Sequence, residues 1–239
     1  MPGSAPLQGV EVSRAGPWFE GAILWNIRSM RVLRVAFDAL PVARWGALFH
    51  VFRLEQPDVS LEWQPMGFPK AGRSLLDGVD VGLFVAPPRE DGLSALTIET
   101  SAMAVLVAAG DRLALHDHLS VADILDEPFL GGAKVHPEWR AFWQLDERRG
   151  GPANLLNDDA HNVEQALEVV AAGRAIATVP TSMADGLPHP GVVALPLLDG
   201  PLAHTRLVWR SADENPIIDA LVGLAEAWTR DGRGDQANS

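Results

Sequence analysis

A chain of 239 residues, 47% of them hydrophobic, is long and apolar enough to bury a sizeable core as one large domain or two small ones. A net charge of −12, with Lys70 and Lys134 as its only lysines, argues against a nucleic-acid surface, which needs concentrated Lys and Arg. The absence of Cys excludes disulfides, thiolate catalysis and Cys-ligated zinc, and the sequence shows neither a membrane-length apolar run nor a secretory signal.

Residues 1–29 hold Gly, Pro and Ser around one apolar cluster, Trp18, Phe19, Ala22, Ile23, Leu24 and Trp25, and read as a mostly irregular arm docked on the body. Met30 stands directly before the first strand as an alternative start of translation. Residues 32–37 read as a buried strand, followed by a loop at 38–41 and a helix over 42–54 with Leu48, Val51 and Phe52 facing inward. Gln56-Pro57-Asp58 breaks that helix. Val59, Leu61 and Trp63 alternate with Ser60, Glu62 and Gln64 as a half-exposed strand. Pro69 suits the first turn of a second helix, which Gly78 stops. Residues 80–85, 93–99 and 103–108 read as strands, and the β-α-β-α-β order predicts a parallel sheet.

Near Gly110 the chain is expected to change domain. Ser120 caps a short helix holding Val121, Ile124 and Leu125. Residues 128–130 read as a strand, 136–149 as a helix anchored by Trp139, Phe142 and Trp143, and 153–157 as a strand. Val163, Ala166, Leu167 and Val170 fall at i, i+3, i+4 and i+7, one apolar helical stripe, with Asp158, Asp159 and Asn162 at its N-terminal end. Gly173 stops this helix, and residues 174–179 form a buried strand ended by Pro180. Residues 192–195 and 202–209 read as strands, and 215–229 as a last helix with Ile218, Leu221, Val222 and Ala225 in its stripe.

The helix–Gly–strand pattern of residues 162–180, NVEQALEVVAAGRAIATVP, resembles the effector-binding domain of LysR-type transcriptional regulators. Three more segments match in the right order: 32–37 the opening strand, 111–129 (DRLALHDHLSVADILDEPF) the crossover and short helix, and 192–210 the return strand. The resemblance spans residues 31–230. It implies an α/β, two-lobed fold like that of type 2 periplasmic binding proteins, each lobe a mostly parallel sheet flanked by helices, joined by two crossover strands. Residues 31–109 plus 203–230 form lobe 1 in this reading, and 110–202 lobe 2. Residues 1–30 are a poorly structured arm and 231–239 a flexible tail. The arm is too short for the family's helix-turn-helix and linker helix and shows no basic two-helix pattern. DNA contact is therefore expected only through a missing or partner DNA-binding domain. The resemblance further implies a cytoplasmic homodimer that pairs through the 42–54 helix and the 59–63 strand, binds a small-molecule effector between its lobes, carries no cofactor and does not touch a membrane.

The resemblance places the cleft at four loops. Asp38, Ala39 and Leu40 follow the opening strand; where the family often has small or hydroxyl residues this chain offers an acid, read either as a ligand contact or as a helix cap. Gly67, Phe68 and Lys70 form the second loop, where the family's Thr or Ser is missing and Lys70 is a carboxylate counter-charge or a solvated surface group. Gly131, Gly132 and Ala133 allow close approach of backbone to a ligand or make a simple turn. Asp159 and His161 lie at a helix start, where carboxylates raise the charged fraction of an imidazole or act only as caps. Pro180 and Thr181 follow the buried strand. This altered polar set implies a ligand other than a plain aromatic or aliphatic acid.

His116-x-His118 lacks a third ligand, so no metal is expected there. No Walker A, G-x-G-x-x-G, G-x-S-x-G or H-E-x-x-H motif occurs, and no catalytic residue is assigned. An effector-sensing module is the first reading. A lyase or dehydratase on the same fold, with Asp159 and His161 as acid–base pair, is the alternative, and a solute-binding protein is the third.

Overall fold

The computed structural model describes residues 31–38, 42–68, 73–131, 135–157, 160 and 162–232. In chain order the strands and helices are β1 (Arg31–Phe37), α1 (Gly46–Glu55), β2 (Val59–Pro65), β3 (Val81–Val85), β4 (Leu93–Ser101), β5 (Met103–Ala108), β6 (Phe129–Gly131), α2 (Pro137–Trp143), α3 (Asp146–Arg149), β7 (Leu155–Asn157), α4 (Val163–Ala171), β8 (Ala177–Pro180), α5 (Thr181–Ala184), β9 (Val192–Leu197), β10 (Ala203–Arg210) and α6 (Pro216–Arg230). Single 3-10 turns stand at Val42–Trp45, Arg112–Leu115 and Val121–Ile124.

The first sheet has the order β2-β1-β3-β10-β4. β1 pairs in parallel with β2 and β3, and β10 runs antiparallel between β3 and β4. All five residues of β3 are buried, as a strand with neighbours on both edges and helices on its faces must be. α1 and α6 cover the sheet with Leu48, Phe49 and Phe52 from one helix and Ile217, Ile218, Leu221 and Ala225 from the other. Leu48 and Phe52 are buried as expected, Phe49 joins them on the inner face of α1, and Val51 is half-buried at its edge. At the other helix Asn215 accepts a hydrogen bond from Ile217 N–H at 3.0 Å and caps α6.

The second sheet, β8-β5-β9, is antiparallel throughout, and β6 and β7 form a small parallel pair beside it. β5 is therefore a strand of the second sheet, not the first: its Met103–Leu106 run pairs with β8 and its whole length with β9. The chain crosses between sheets at Ala102, before the Gly110 boundary read from sequence, and returns through residues 198–202. The sequence marks that crossing weakly, because only one residue, Ala102, separates β4 from β5.

Other boundaries move for local reasons. The 136–149 helix is two helices, broken where Leu145 adopts φ 59° in the left-handed region. Residues 75–78 form a turn ending in Gly78 at φ 75°, not the end of a helix, while Pro69 and Lys70 lie outside the described residues. Pro180 is inside β8 opposite Met103, and α5 starts directly after it. Gly173 does close α4, at φ 67°, with its N–H donating to Val170 O.

Candidate functional site

Asp38 stands at the end of β1 and is only 4% exposed. Its Oδ2 accepts the N–H of Val85, the last residue of β3, at 2.7 Å. The carboxylate thus clasps the C-terminal ends of two parallel strands, a third role beside the two expected of it. Val85 also accepts through its carbonyl from Trp139 Nε1 at 3.3 Å. That bond ties α2, which packs with the second sheet, to the end of β3 in the first. Trp139 meets Phe68 across the same gap with ring centroids 5.4 Å apart, and meets Trp143 at 5.3 Å. Ala86, next to Val85, holds φ 45° and donates its N–H to His204 O. A non-glycine residue at positive φ persists only where its surroundings over-determine it.

Asp38, Phe68, Gly131 and Trp139 line one cavity of about 120 Å³. Leu106 on β5 also lines it. The apolar stripe of α4 read from the sequence, Val163, Ala166, Leu167 and Val170, forms one side of it. The stripe is real, but it faces a cavity as well as a core. Asn162 caps this helix, its Oδ1 accepting from Gln165 N–H at 2.9 Å.

Gly131 earns its place by close packing: a Cβ there would come within 2.9 Å of Gln144 Nε2 and 3.2 Å of Leu155 Cδ2. Gln144 is 2% exposed and donates to Leu130 O at 3.4 Å. Gly67 holds φ 65°, a turn that favours glycine, directly before Phe68. Of the remaining expected site residues, Pro180 and Thr181 lie at the crossing between sheets, not on the cavity wall. Thr181 Oγ1 is 3.0 Å from Ser101 Oγ and 3.3 Å from Ala102 O. Ala39, Leu40, Lys70, Gly132, Ala133, Asp159 and His161 lie outside the described residues.

A buried ion pair holds the crossing. Arg44 pairs with Glu99 on β4, their side chains 10% and 2% exposed. Thr205 on β10 donates to Glu99 Oε2 at 3.4 Å, and Arg44 Nη1 donates to Ser182 O on α5, also at 3.4 Å. Ser182 N–H in turn donates to Ser101 Oγ at 3.2 Å. One guanidinium thereby joins the first sheet to a helix of the second. Nothing in the sequence around Arg44 pairs it with a residue so far along the chain.

Sequence reading missed Trp139, Arg140, Trp143 and Gln144 as cavity residues, taking the tryptophans for core anchors or a partner face. None of α2 is fully buried, which sequence periodicity alone does not show. Among the described residues there is no group of three or more His, Asp or Glu placed to hold a metal, and no helix is long and apolar enough to cross a membrane.

The model of the LysR substrate binding domain matches residues 28–230. An uncharacterized HTH-type transcriptional regulator of Bacillus subtilis (strain 168), YwbI, is 25% identical over 161 residues, 66% of this chain and 53% of that protein. The chain thus spans about half the length of this relative. Among solved structures, the BenM effector binding domain with its effector benzoate superposes at TM-score 0.65 and 20% identity, covering 84% of this chain and 94% of that one. A variant of the same domain gives 0.68 at 20% identity, with 84% and 96% covered. Full-length CbnR complexed with its target DNA gives 0.65 at 19% identity, with 84% and 72% covered. These likenesses fit the two-sheet α/β fold of type 2 periplasmic binding proteins. The chain belongs to the LysR substrate-binding domain family.

Proposed function

We propose that this chain is the ligand-sensing module of a transcriptional regulator and that its effector binds in the cavity between the two sheets. The observation that carries this reading is the shared lining: Asp38 and Phe68 come from the first sheet's connections, Gly131 and Trp139 from the second's. A ligand touching both sides favours the arrangement of lobes that brings them together, which is how a binding event becomes a conformational signal. The lobes in this proposal are residues 31–101 with 203–230, and 102–202. The relatives support it: BenM binds an effector in this domain, and YwbI is an HTH-type transcriptional regulator. DNA contact belongs, in this reading, to a segment or partner outside this chain, the protein works as a cytoplasmic homodimer, and turnover is not part of its role. Asp38, Phe68 and Gly131 are the proposed effector contacts among the described residues.

A thermal-shift panel of metabolites, paired with native mass spectrometry of the purified chain, tests this. A ligand at about 100 times its Kd adds roughly 2.7 kcal/mol, or about 5–10 °C in Tm for a domain of this size. Phe68→Ala is expected to shrink that shift. A panel without any stabilising compound, together with a protein that sprays as an unliganded monomer, refutes the reading.

A further inference from the structure

We propose that the first turn of α2 is a latch across the two lobes, and that Ala86 is the strained joint it holds in place. The device involves no effector and is tested without one, so it stands or falls apart from the reading above.

α2 is rooted in the second lobe. Its Trp143 O accepts from Thr178 Oγ1 on β8 at 2.5 Å, and Gln144, directly after the helix, donates to Leu130 O on β6 at 3.4 Å. The other end of the helix reaches the first lobe at two points. Trp139 Nε1 donates to Val85 O, and Glu138 Oε2 accepts from Arg89 N–H, both at 3.3 Å. Between those points the first lobe runs Ala86-Pro87-Pro88. One helical turn thus grips a single connection at both ends. Val85 is part of the hydrophobic core of the second sheet and Ala86 packs against it, although β3 belongs to the first sheet.

The strain lies between the two grips. Ala86 holds φ 45°. Left-handed backbone is disfavoured for a residue with a Cβ by roughly five- to thirtyfold, and a residue before proline is biased further toward extended backbone. Pro87 and Pro88 are buried and their rings fix φ, so the adjustment falls on Ala86. Upstream the chain is pinned: Val85 N–H donates to Asp38 Oδ2 at 2.7 Å and Ala86 N–H to His204 O at 2.9 Å. Everything beyond the Cα of Ala86 turns about that anchor. A strained residue persists where its surroundings over-determine it, and here those surroundings include Glu138 and Trp139 of the other lobe. Two long hydrogen bonds, one of them exposed, are of the size that such strain offsets. The joint therefore has two positions close in free energy. In one, Ala86 is left-handed and the lobes are joined; in the other, Ala86 is extended and the lobes part.

Hydrogen exchange followed by NMR on the full chain reads the two grips separately, through the indole proton of Trp139 and the amide proton of Arg89. Glu138→Ala, a change at an exposed side chain, is expected to speed exchange of the Trp139 indole proton roughly two- to tenfold, although the Glu138 bond is made to Arg89 and not to the indole. Ala86→Gly relieves the left-handed backbone and is expected to slow both protons at least about fivefold, and to undo the effect of Glu138→Ala when the two are combined. Trp139→Phe identifies the indole signal by removing it and is expected to speed the Arg89 amide. The chain has no Cys, so spin labels on Asp77→Cys in the first lobe and Glu147→Cys in the second, both exposed positions, report lobe separation after dilution with unlabelled chain. Glu138→Ala with Trp139→Phe is expected to add a longer distance, which Ala86→Gly removes. Should that pair fail to fold, Glu138→Ala with Ala86→Val serves, since a β-branched residue tolerates φ 45° less than Ala. An indole proton that ignores either Glu138→Ala or Ala86→Gly overturns the joint. A label distance that none of these variants changes overturns the latch.

Discussion

Replacing Glu99 by Ala removes the carboxylate that faces Arg44 and leaves a guanidinium in a site where both side chains are nearly closed to solvent, at 2% and 10% exposed. Ser182 O accepts from the same guanidinium at 3.4 Å, a long bond. Breaking a buried pair from one side costs about 3–5 kcal/mol, because the surviving charge keeps its desolvation penalty. For a domain of this length, each kcal/mol moves Tm by roughly 2–4 °C, so Glu99→Ala is expected to lose about 6–20 °C. The pair itself is a different matter. Its attraction is offset by the cost of burying both ions, so Arg44→Met with Glu99→Met together is expected to stay within about 2 kcal/mol of the parent. Urea unfolding of the parent, both single Met variants and the double closes the cycle, and the expected result is a strongly non-additive double. A Glu99→Ala protein within about 0.5 kcal/mol of the parent, or singles that add to the double within that margin, refutes the reasoning. Either result would mean that the Arg44–Glu99 pair does not hold the crossing.

Asp38→Ala leaves the buried N–H of Val85 without its carboxylate acceptor and is expected to cost about 1–3 kcal/mol by urea unfolding; a neutral result removes the clasp from the account of the site. Gly173→Ala is expected to cost roughly 1–2 kcal/mol through φ alone, since the nearest atom to an added Cβ is Ala108 Cβ at 3.9 Å and there is room; the same measurement decides it. Ser120 lowers the pKa of Asp123 below the ordinary 3.8, first through its hydroxyl and then through its N–H, which donate to Asp123 Oδ2 at 2.6 and 2.8 Å. The depressed value makes this contribution to stability fully present above the unfolded pKa and lost as pH falls through the folded one. Ser120→Ala is expected to raise the Asp123 value toward 3.8 in a carboxylate NMR titration, and an unmoved titration curve refutes the assignment to the hydroxyl.

How much of this was legible beforehand depends on the range of the interaction. Elements whose reasons are local came through: the apolar run of β3, the Asn162 cap and Gly173 stop of α4, and the stripe of α6 all follow from neighbours within a turn or two. The family resemblance named Asp38, Phe68 and Gly131 as ligand contacts, and the three line one cavity. What was not legible lies in contacts distant along the chain. Asp38 reads locally as a cap, and only the pairing of β1 with β3 brings Val85 N–H to it. Arg44 finds Glu99 and Ser182 through the crossing of two sheets. The tryptophans of α2 have the periodicity of core residues, and periodicity does not distinguish a packed neighbour from a cavity.

β4 and β10 arrive at the crossing side by side, with Ala203 opposite Ser101 in the ladder. Everything between those two residues, including the whole second sheet, therefore leaves and re-enters the first sheet one strand spacing apart, about 5 Å. In engineering terms the second sheet is a cassette plugged into the end of a hairpin. A tight turn joining Ser101 to Ala203 would close that hairpin and leave the order β2-β1-β3-β10-β4 intact. Arg44 spans that ribbon from Glu99 on β4 to Ser182 on α5, so the plug and its socket share one guanidinium.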